Sequence, residues 1–308
     1  MAQQVVAAPA ATREGSGGPP VILIAVGRAL LAAALALAVI FFLFPIFWIV
    51  STSFKDLRDA DSPVPHFFDF TPTLDNYRHI FVQTQQTATG GTTSVSTDFP
   101  HFFFNSIVID VAATLLALVL GTLAAYGFSR FPVPAKNDLL FFILSTRMLP
   151  PVAVLIPIFL MYTNLNLVDT YHGMILLYTT FNIPFAVWMM KGFIDEIPRE
   201  YEDAAMVDGY TRFQAFYKVI VPQALPAAAA TSVFLLITVW NEFVFATQLT
   251  QTATRTAPPG IAAAQTMGGI DWGLISAVST LFVLPVVIFT FLVRNYLLRG
   301  VTFGAVRR

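Results

Sequence analysis

The sequence predicts an all-α integral membrane protein with six transmembrane helices and both termini in the cytoplasm. Three observations carry this expectation: six long stretches nearly free of charge, 56% apolar residues against 11% charged, and an uneven split of Lys and Arg between the loops. Soluble domains carry about a quarter charged residues, so the composition excludes an ordinary water-soluble fold. The 17 basic and 18 acidic residues leave a net charge of −1, which supplies no field to hold nucleic acid. There is no cysteine, which excludes disulfides, thiolate metal sites and cysteine nucleophiles.

A helix that crosses the hydrocarbon needs about 20 apolar residues. Runs of that kind predict spans over roughly 21–50, 101–129, 139–162, 171–193, 223–249 and 272–298. The first run competes with a secretory signal, because Arg13 and Arg28 precede an Ala-rich stretch. Its 22 uncharged residues, Ala29 to Val50, exceed the usual h-region of about 7–15, and the run continues past Ala38 where cleavage would fall. An uncleaved span is therefore predicted. Residues 1–20, rich in Ala, Gly, Pro and Gln, read as a disordered cytoplasmic tail, and 21–308 as the transmembrane domain.

Six spans put both ends of the chain on one side. That side gathers twelve Lys and Arg, the other only Lys55, Arg58, Arg78 and Arg255, while Arg147 falls inside the third span. The positive-inside rule assigns the first side to the cytoplasm. The segment 51–100, rich in Asp, Thr, Gln, Pro and Gly, is then an extracytoplasmic elaboration between spans one and two.

The cytoplasmic loop 194–222 is the most amphiphilic stretch of the chain. Pro198 suits the first turn of a helix, Glu200, Glu202 and Asp203 complement the positive end of its dipole, and Gly209 supplies a left-handed stop. A second short helix is predicted from Thr211, with Phe213, Phe216, Tyr217 and Ile220 on one apolar face. The expected result is a helix-turn-helix lying at the membrane surface. Ala204 and Ala205 are small enough to let another surface approach closely, as in a docking site; an ordinary interfacial hairpin is the plainer reading of the same spacing.

The run Glu202-Asp-Ala-Ala-Met-Val-Asp-Gly209, followed by Ile220-Val-Pro222, resembles the EAA loop of binding-protein-dependent ABC importer permeases. It departs from that pattern by Asp203 between Glu and Ala-Ala and by Val221 in place of Leu. Phe104-Asn-Ser-Ile and Gly121-Thr-Leu-Ala-Ala-Tyr-Gly-Phe-Ser-Arg130 look like the second span of carbohydrate permeases, and Trp240-Asn-Glu-Phe-Val-Phe-Ala like their fifth. The ending Arg299-Gly-Val-Thr-Phe-Gly-Ala-Val-Arg307 is similar to that of the maltose-type six-span subunit.

The resemblance implies a MetI-like permease core in a bacterial inner membrane, one half of a heterodimer with a second permease subunit. It also implies two ATPase subunits, a solute-binding protein, and a sugar or polyol as cargo. Glu202, Ala204, Ala205, Asp208 and Gly209 would couple to the ATPase, with Glu202 meeting a basic residue there, and Gly304, Ala305 and Val306 in the tail would reach the ATPase as well.

No Gly-x-x-x-x-Gly-Lys-Ser/Thr loop occurs. ATP and Mg are therefore expected on the partner ATPase, with no cofactor and no catalytic residue in this chain. His66, His79, His101 and His172 stand in unrelated contexts and suggest no metal site. Charges inside spans cost about 2.5–3.5 kcal/mol each on insertion scales, which singles out Asp110, Arg147 and Glu242. Trp240, Asn241 and Glu242 combine an aromatic face with hydroxyl-binding groups and are candidates for the translocation pathway; a structural pair of Glu242 with Arg147 competes with that role. Asp110 and Arg147 lie nearer helix ends and are read as structural, their charges snorkelling toward the interface. Pro150, Pro151, Pro157 and Pro184 imply kinks in spans three and four, lining a path or facing lipid. Gly121 and Ala125 offer a small face for helix contact.

With one cation inside the spans, a neutral solute is favoured over a phosphorylated one. A self-contained secondary transporter of a small neutral solute is the competing function. It would need ion-coupling charges at midplane, where only Glu242 is convincing, and it would not need the EAA-like loop.

Overall fold

A computed structural model describes residues 21–86, 92–263 and 270–305. The chain divides into two units, Met1–Trp48 and Ile49–Arg308. The predicted disordered tail 1–20 lies outside the described residues.

The first unit is helical throughout its described part, the bulk of α1 (Val21–Ser53), whose apolar side chains are interrupted by Pro45. In the second unit come α2 (Leu57–Ala60), α3 (Asp75–His79), β1 (Val82–Gln86) and β2 (Thr92–Ser96). The two strands pair antiparallel, Val82 opposite Ser96, and are the departure from an all-helical chain among the described residues. Then follow α4 (Phe99–Arg130), α5 (Lys136–Thr146), α6 (Pro151–Asn164), α7 (Tyr171–Glu196), α8 (Glu200–Val207), α9 (Arg212–Ala215), α10 (Val221–Trp240), α11 (Val244–Leu249), α12 (Ala257–Ala263) and α13 (Trp272–Ala305).

Among the described residues five helices are long and apolar enough to cross a membrane, or six when α5 and α6 count as one broken span. That break corrects the continuous third span predicted over 139–162. The two helices meet at 88° across Arg147–Pro150, because Pro151 has no N–H to continue α5 but fits the first position of a new helix. The fifth span is also not the single helix predicted over 223–249, since α10 stops at Trp240 and α11 restarts at Val244.

The predicted surface helix-turn-helix is half right. α8 stands alone, but the second helix does not lie apart. α9 passes through a π-helical turn at Phe216–Ile220, where the Val221 N–H reaches back to the Phe216 carbonyl, and runs on into α10. Pro222 has no N–H and its ring crowds the preceding turn, and one wide turn absorbs the mismatch without ending the helix. The predicted apolar face divides accordingly: Phe216 and Ile220 are buried, Phe213 and Tyr217 exposed.

The core of the second unit is the packing of α4, α7 and α10. Ala117, Ala186 and Leu235, one from each, meet in its middle. A Cβ at Gly121 would come 2.4 Å from the Ala186 Cβ, so α4 and α7 touch nearly backbone to backbone. Ala125 on the next turn is also fully buried, as the small face predicts. Toward one end Ile109, Met174, Tyr178, Val239 and Phe245 pack together; toward the other Tyr126, Met190, Ile194, Phe216 and Ile220 do. α13 joins through Leu274, Ala277 and Val278 against Ile80.

Candidate functional site

Two places gather the residues singled out above. The first is the loop 194–222. α8 ends at Asp208 in the hydrogen-bond pattern of a left-handed stop: the Gly209 N–H donates to the Met206 carbonyl at 3.1 Å and the Tyr210 N–H to Ala205 at 3.0 Å. Gly209 has φ +90°, as predicted for this position. Thr211 then caps α9 through a reciprocal capping box with Gln214.

The faces of α8 differ. Ala204, Val207, Asp208 and Gly209 are exposed, Val207 to 87%. Ala205 turns inward, so the small pair does not present a joint outer surface. Glu202 also turns inward, with a side chain 9% exposed. The Arg130 Nε donates to its Oε1 and the Tyr126 hydroxyl to its Oε2 at 2.8 Å. Glu202 therefore has a basic partner, Arg130, within the chain, where a basic residue on the ATPase was expected. Sequence reading missed Arg130 and Tyr126, although both lie in the quoted stretch ending in Arg130. Around them Arg130 Nη2 donates to the Ile197 carbonyl at 2.8 Å, and Arg199 Nη2 to the Ser129 carbonyl at 3.0 Å. The Ser129 hydroxyl donates to Asp195 at 2.6 Å.

The second place is the break after α10. Trp240 is buried, its indole N–H donating to the Phe282 carbonyl at 2.9 Å and its ring stacked on Phe282 at 4.9 Å. Phe103 meets it edge-on. Protein thus occupies the ring face proposed for a solute. Glu242 caps α11: its Oε1 accepts from the Phe245 N–H at 2.9 Å, and its Oε2 from the Ala246 N–H at 3.0 Å and the Tyr178 hydroxyl at 2.8 Å. Of the three pathway candidates only Asn241 is exposed, its amide donating to the Ile237 carbonyl.

Arg147 does not pair with Glu242. It donates from the α5–α6 break to the Phe181 carbonyl at 2.7 Å and to Asn182 Oδ1 at 3.3 Å. Asp110 does not snorkel: it is 2% exposed, and its Oδ1 has no hydrogen-bond partner among the described residues.

Away from both places, Asp169 organises a loop cluster. Its carboxylate accepts from the N–H groups of Gln251, Ala253 and Thr254 and from the Thr254 hydroxyl. Burial pushes its pKa up, but these four donors outweigh burial and hold it below the ordinary carboxylate value. His101 and Asn105 grip the same loop at the carbonyls of Ala253 and Arg255. Of the predicted tail contacts, Gly304 and Ala305 fall in the last turn of α13, and Val306 lies outside the described residues. Among the described residues no cluster of three His, Cys, Asp or Glu could hold a metal ion.

An all-helical membrane core with one broken span, and a loop helix with a left-handed stop, define a multi-pass membrane protein. Residues 117–303 match the family described as binding-protein-dependent transport system inner membrane component, and the chain belongs to that family. It is 34% identical over 266 residues to the probable ABC transporter permease protein y4oR of Sinorhizobium fredii, covering 86% of this chain and 91% of that one. It is 31% identical over 284 residues to the sulfoquinovosyl glycerol transport system permease protein SmoH of Agrobacterium fabrum, covering 91% and 94%. Its fold is similar to that of a bacterial ABC transporter involved in importing the acidic polysaccharide alginate, with a TM-score of 0.68 at 21% identity over 94% of this chain and all of that one. The chain is a membrane subunit of a binding-protein-dependent transport system and not itself the enzyme; ATP hydrolysis belongs to the partner ATPase.

Proposed function

We propose that this chain is one of two permease subunits in an ATP-driven importer that carries a sugar or polyol across a bacterial inner membrane from a solute-binding protein. The observation that carries the reading is α8, a helix with Ala204, Val207 and Asp208 outward and a left-handed glycine behind it. That face would dock on one of two ATPase subunits, which bind ATP and Mg, and the end of α13 with Gly304, Ala305 and Val306 would reach the same pair. Both termini are then cytoplasmic, and the strands β1 and β2 belong to the receptor side. SmoH is named for a glycoside of glycerol and the alginate importer for a polysaccharide, so a polyhydroxylated cargo is the common chemistry. Asn241 is the pathway candidate best placed to offer a solute hydrogen bonds, with Glu242 and Trp240 holding the break that presents it.

The test is reconstitution of the complete transporter in vesicles with its solute-binding protein, offered neutral sugars, polyols and an acidic sugar. Uptake that needs ATP and the binding protein is the expected result. Uptake driven by an ion gradient without ATP would establish the secondary transporter instead.

A further inference from the structure

We propose that Arg130, with Tyr126, is a positioning residue of energy coupling: it clamps α8 to the cytoplasmic end of α4, so that helix and loop move as one body. This rests on the reading of α8 as the ATPase-docking helix, and adds what holds that helix from behind.

The clamp uses the whole guanidinium. Nε donates to Glu202 on α8, Nη2 to the Ile197 carbonyl in the linker before α8, and Nη1 to the Ser129 hydroxyl on its own helix. A planar fork with its donors spread over three groups fixes orientation as well as distance, which a lysine could not do. The Arg130 side chain is 6% exposed, so the contact is not a surface pair screened by water. Tyr126, one turn earlier on α4, fills the second oxygen of Glu202 and lays its ring on Phe216 at 4.6 Å, where α9 runs into α10. Arg199, at the start of α8, ties to the Ser129 carbonyl from the other side, and Asp195 at the end of α7 accepts from the Ser129 hydroxyl. The polar ties of α8 to α4 thus gather on the last two turns of α4.

The far end of α4 carries His101 and Asn105, which hold the loop at Ala253 and Arg255. A 32-residue helix rises about 48 Å. Through the clamp, the helix that docks on the ATPase is attached to a rod whose other end holds the loop on the opposite side.

The experiment uses the assembled transporter with Arg130→Glu, Glu202→Arg and the double exchange, and measures ATP hydrolysed per solute imported. Each single change should raise that ratio about tenfold, because two like charges then face each other in a buried site, and the double exchange should restore it to within about twofold. If the double exchange is no better than the singles, or the singles couple normally, the clamp is wrong. Should the exchanged charges block assembly, Arg130→Cys with Glu202→Cys in this cysteine-free chain serves instead. A short bis-methanethiosulfonate bridge should then recover coupling that the unbridged pair lacks, whereas a bridged but uncoupled transporter overturns the proposal. Val207→Arg, on the outer face, separates the two readings: it should weaken ATPase binding whether or not the clamp exists, and unchanged binding would sink the docking role itself.

Discussion

Arg130, the last residue of α4, and Glu202, in the first turn of α8, form a buried ion pair across 72 residues of sequence. Among the described residues neither side chain has another counter-charge in hydrogen-bond contact, so removing one strands the other. Breaking a buried pair this way costs about 3–5 kcal/mol, whereas losing one neutral hydrogen bond costs about 1 kcal/mol. Glu202→Ala should therefore accelerate amide exchange across 200–207 far more than Tyr126→Phe does. Equal protection in the two variants would mean that packing, not the ion pair, holds α8.

Gly209 has φ +90° and open space where a Cβ would stand. The cost of a substitution there is conformational alone, about 1–2 kcal/mol for an ordinary residue in the left-handed region and less for Asn. Gly209→Ala should weaken solute-stimulated ATP hydrolysis, Gly209→Asn should weaken it less, and both should leave membrane insertion intact. If Ala proves milder than Asn, the turn is not held by this backbone angle.

Much of this was legible in the sequence, and what was not has a common cause. Charge-free runs locate the spans, and Gly209 announces its own turn, because both signals are local. The buried face of α8 was misjudged because the partner of Glu202 sits on another helix, and an acidic residue in a first turn already has a sufficient local reason to be there. The end of α10 carries no Gly or Pro. A carboxylate two residues past it turns back onto the N–H groups of α11, and a run of apolar letters conceals that break. At Pro150–Pro151 the letters were visible but not the angle of 88° between the two helices, which local sequence does not encode.

Glu242 shows how the break after α10 is maintained. Its two oxygens accept three hydrogen bonds, two of them from otherwise unsatisfied N–H groups at the start of α11. Glu242→Gln has one acceptor oxygen left and must abandon at least one of them, a loss of about 1–3 kcal/mol. Uptake should fall while affinity of the binding protein for solute stays unchanged. Tyr178→Phe removes one donor and should have the smaller effect. A transporter indifferent to Glu242→Gln would show that the cap has no bearing on the path.

Asp169 gives a pH dependence with a definite sign. Its pKa lies below the ordinary carboxylate value because four donors outweigh the opposing effect of burial. The unfolded chain then takes up the proton first as pH falls, so the stabilisation is complete above about pH 4 and disappears as pH drops through the lower folded value. Between pH 5 and 8 the loop 250–254 should show constant protection from exchange. Asp169→Asn should remove most of that protection at all these pH values, since an amide oxygen replaces two acceptors. Protection that varies between pH 5 and 8 would assign the control to another group.

The contact between Gly121 and Ala186 tests how closely α4 and α7 must approach. A methyl group at 121 would sit 2.4 Å from the Ala186 Cβ and 3.1 Å from the backbone of Ala186 and Val187. Backbone cannot swing aside as a flexible side chain can, so the helices must separate, and overpacking of this kind costs about 1–3 kcal/mol. Alanine in place of glycine returns about 1 kcal/mol of helix propensity. The steric term is the larger, and Gly121→Ala should lower the unfolding midpoint in detergent despite being the better helix former. Adding Ala186→Gly moves the methyl group from one side of the interface to the other, and should recover most of the loss, since only the propensity of α7 then suffers. If Gly121→Ala raises the midpoint, the two helices have room between them, and the close approach at this position does not govern the packing of the core.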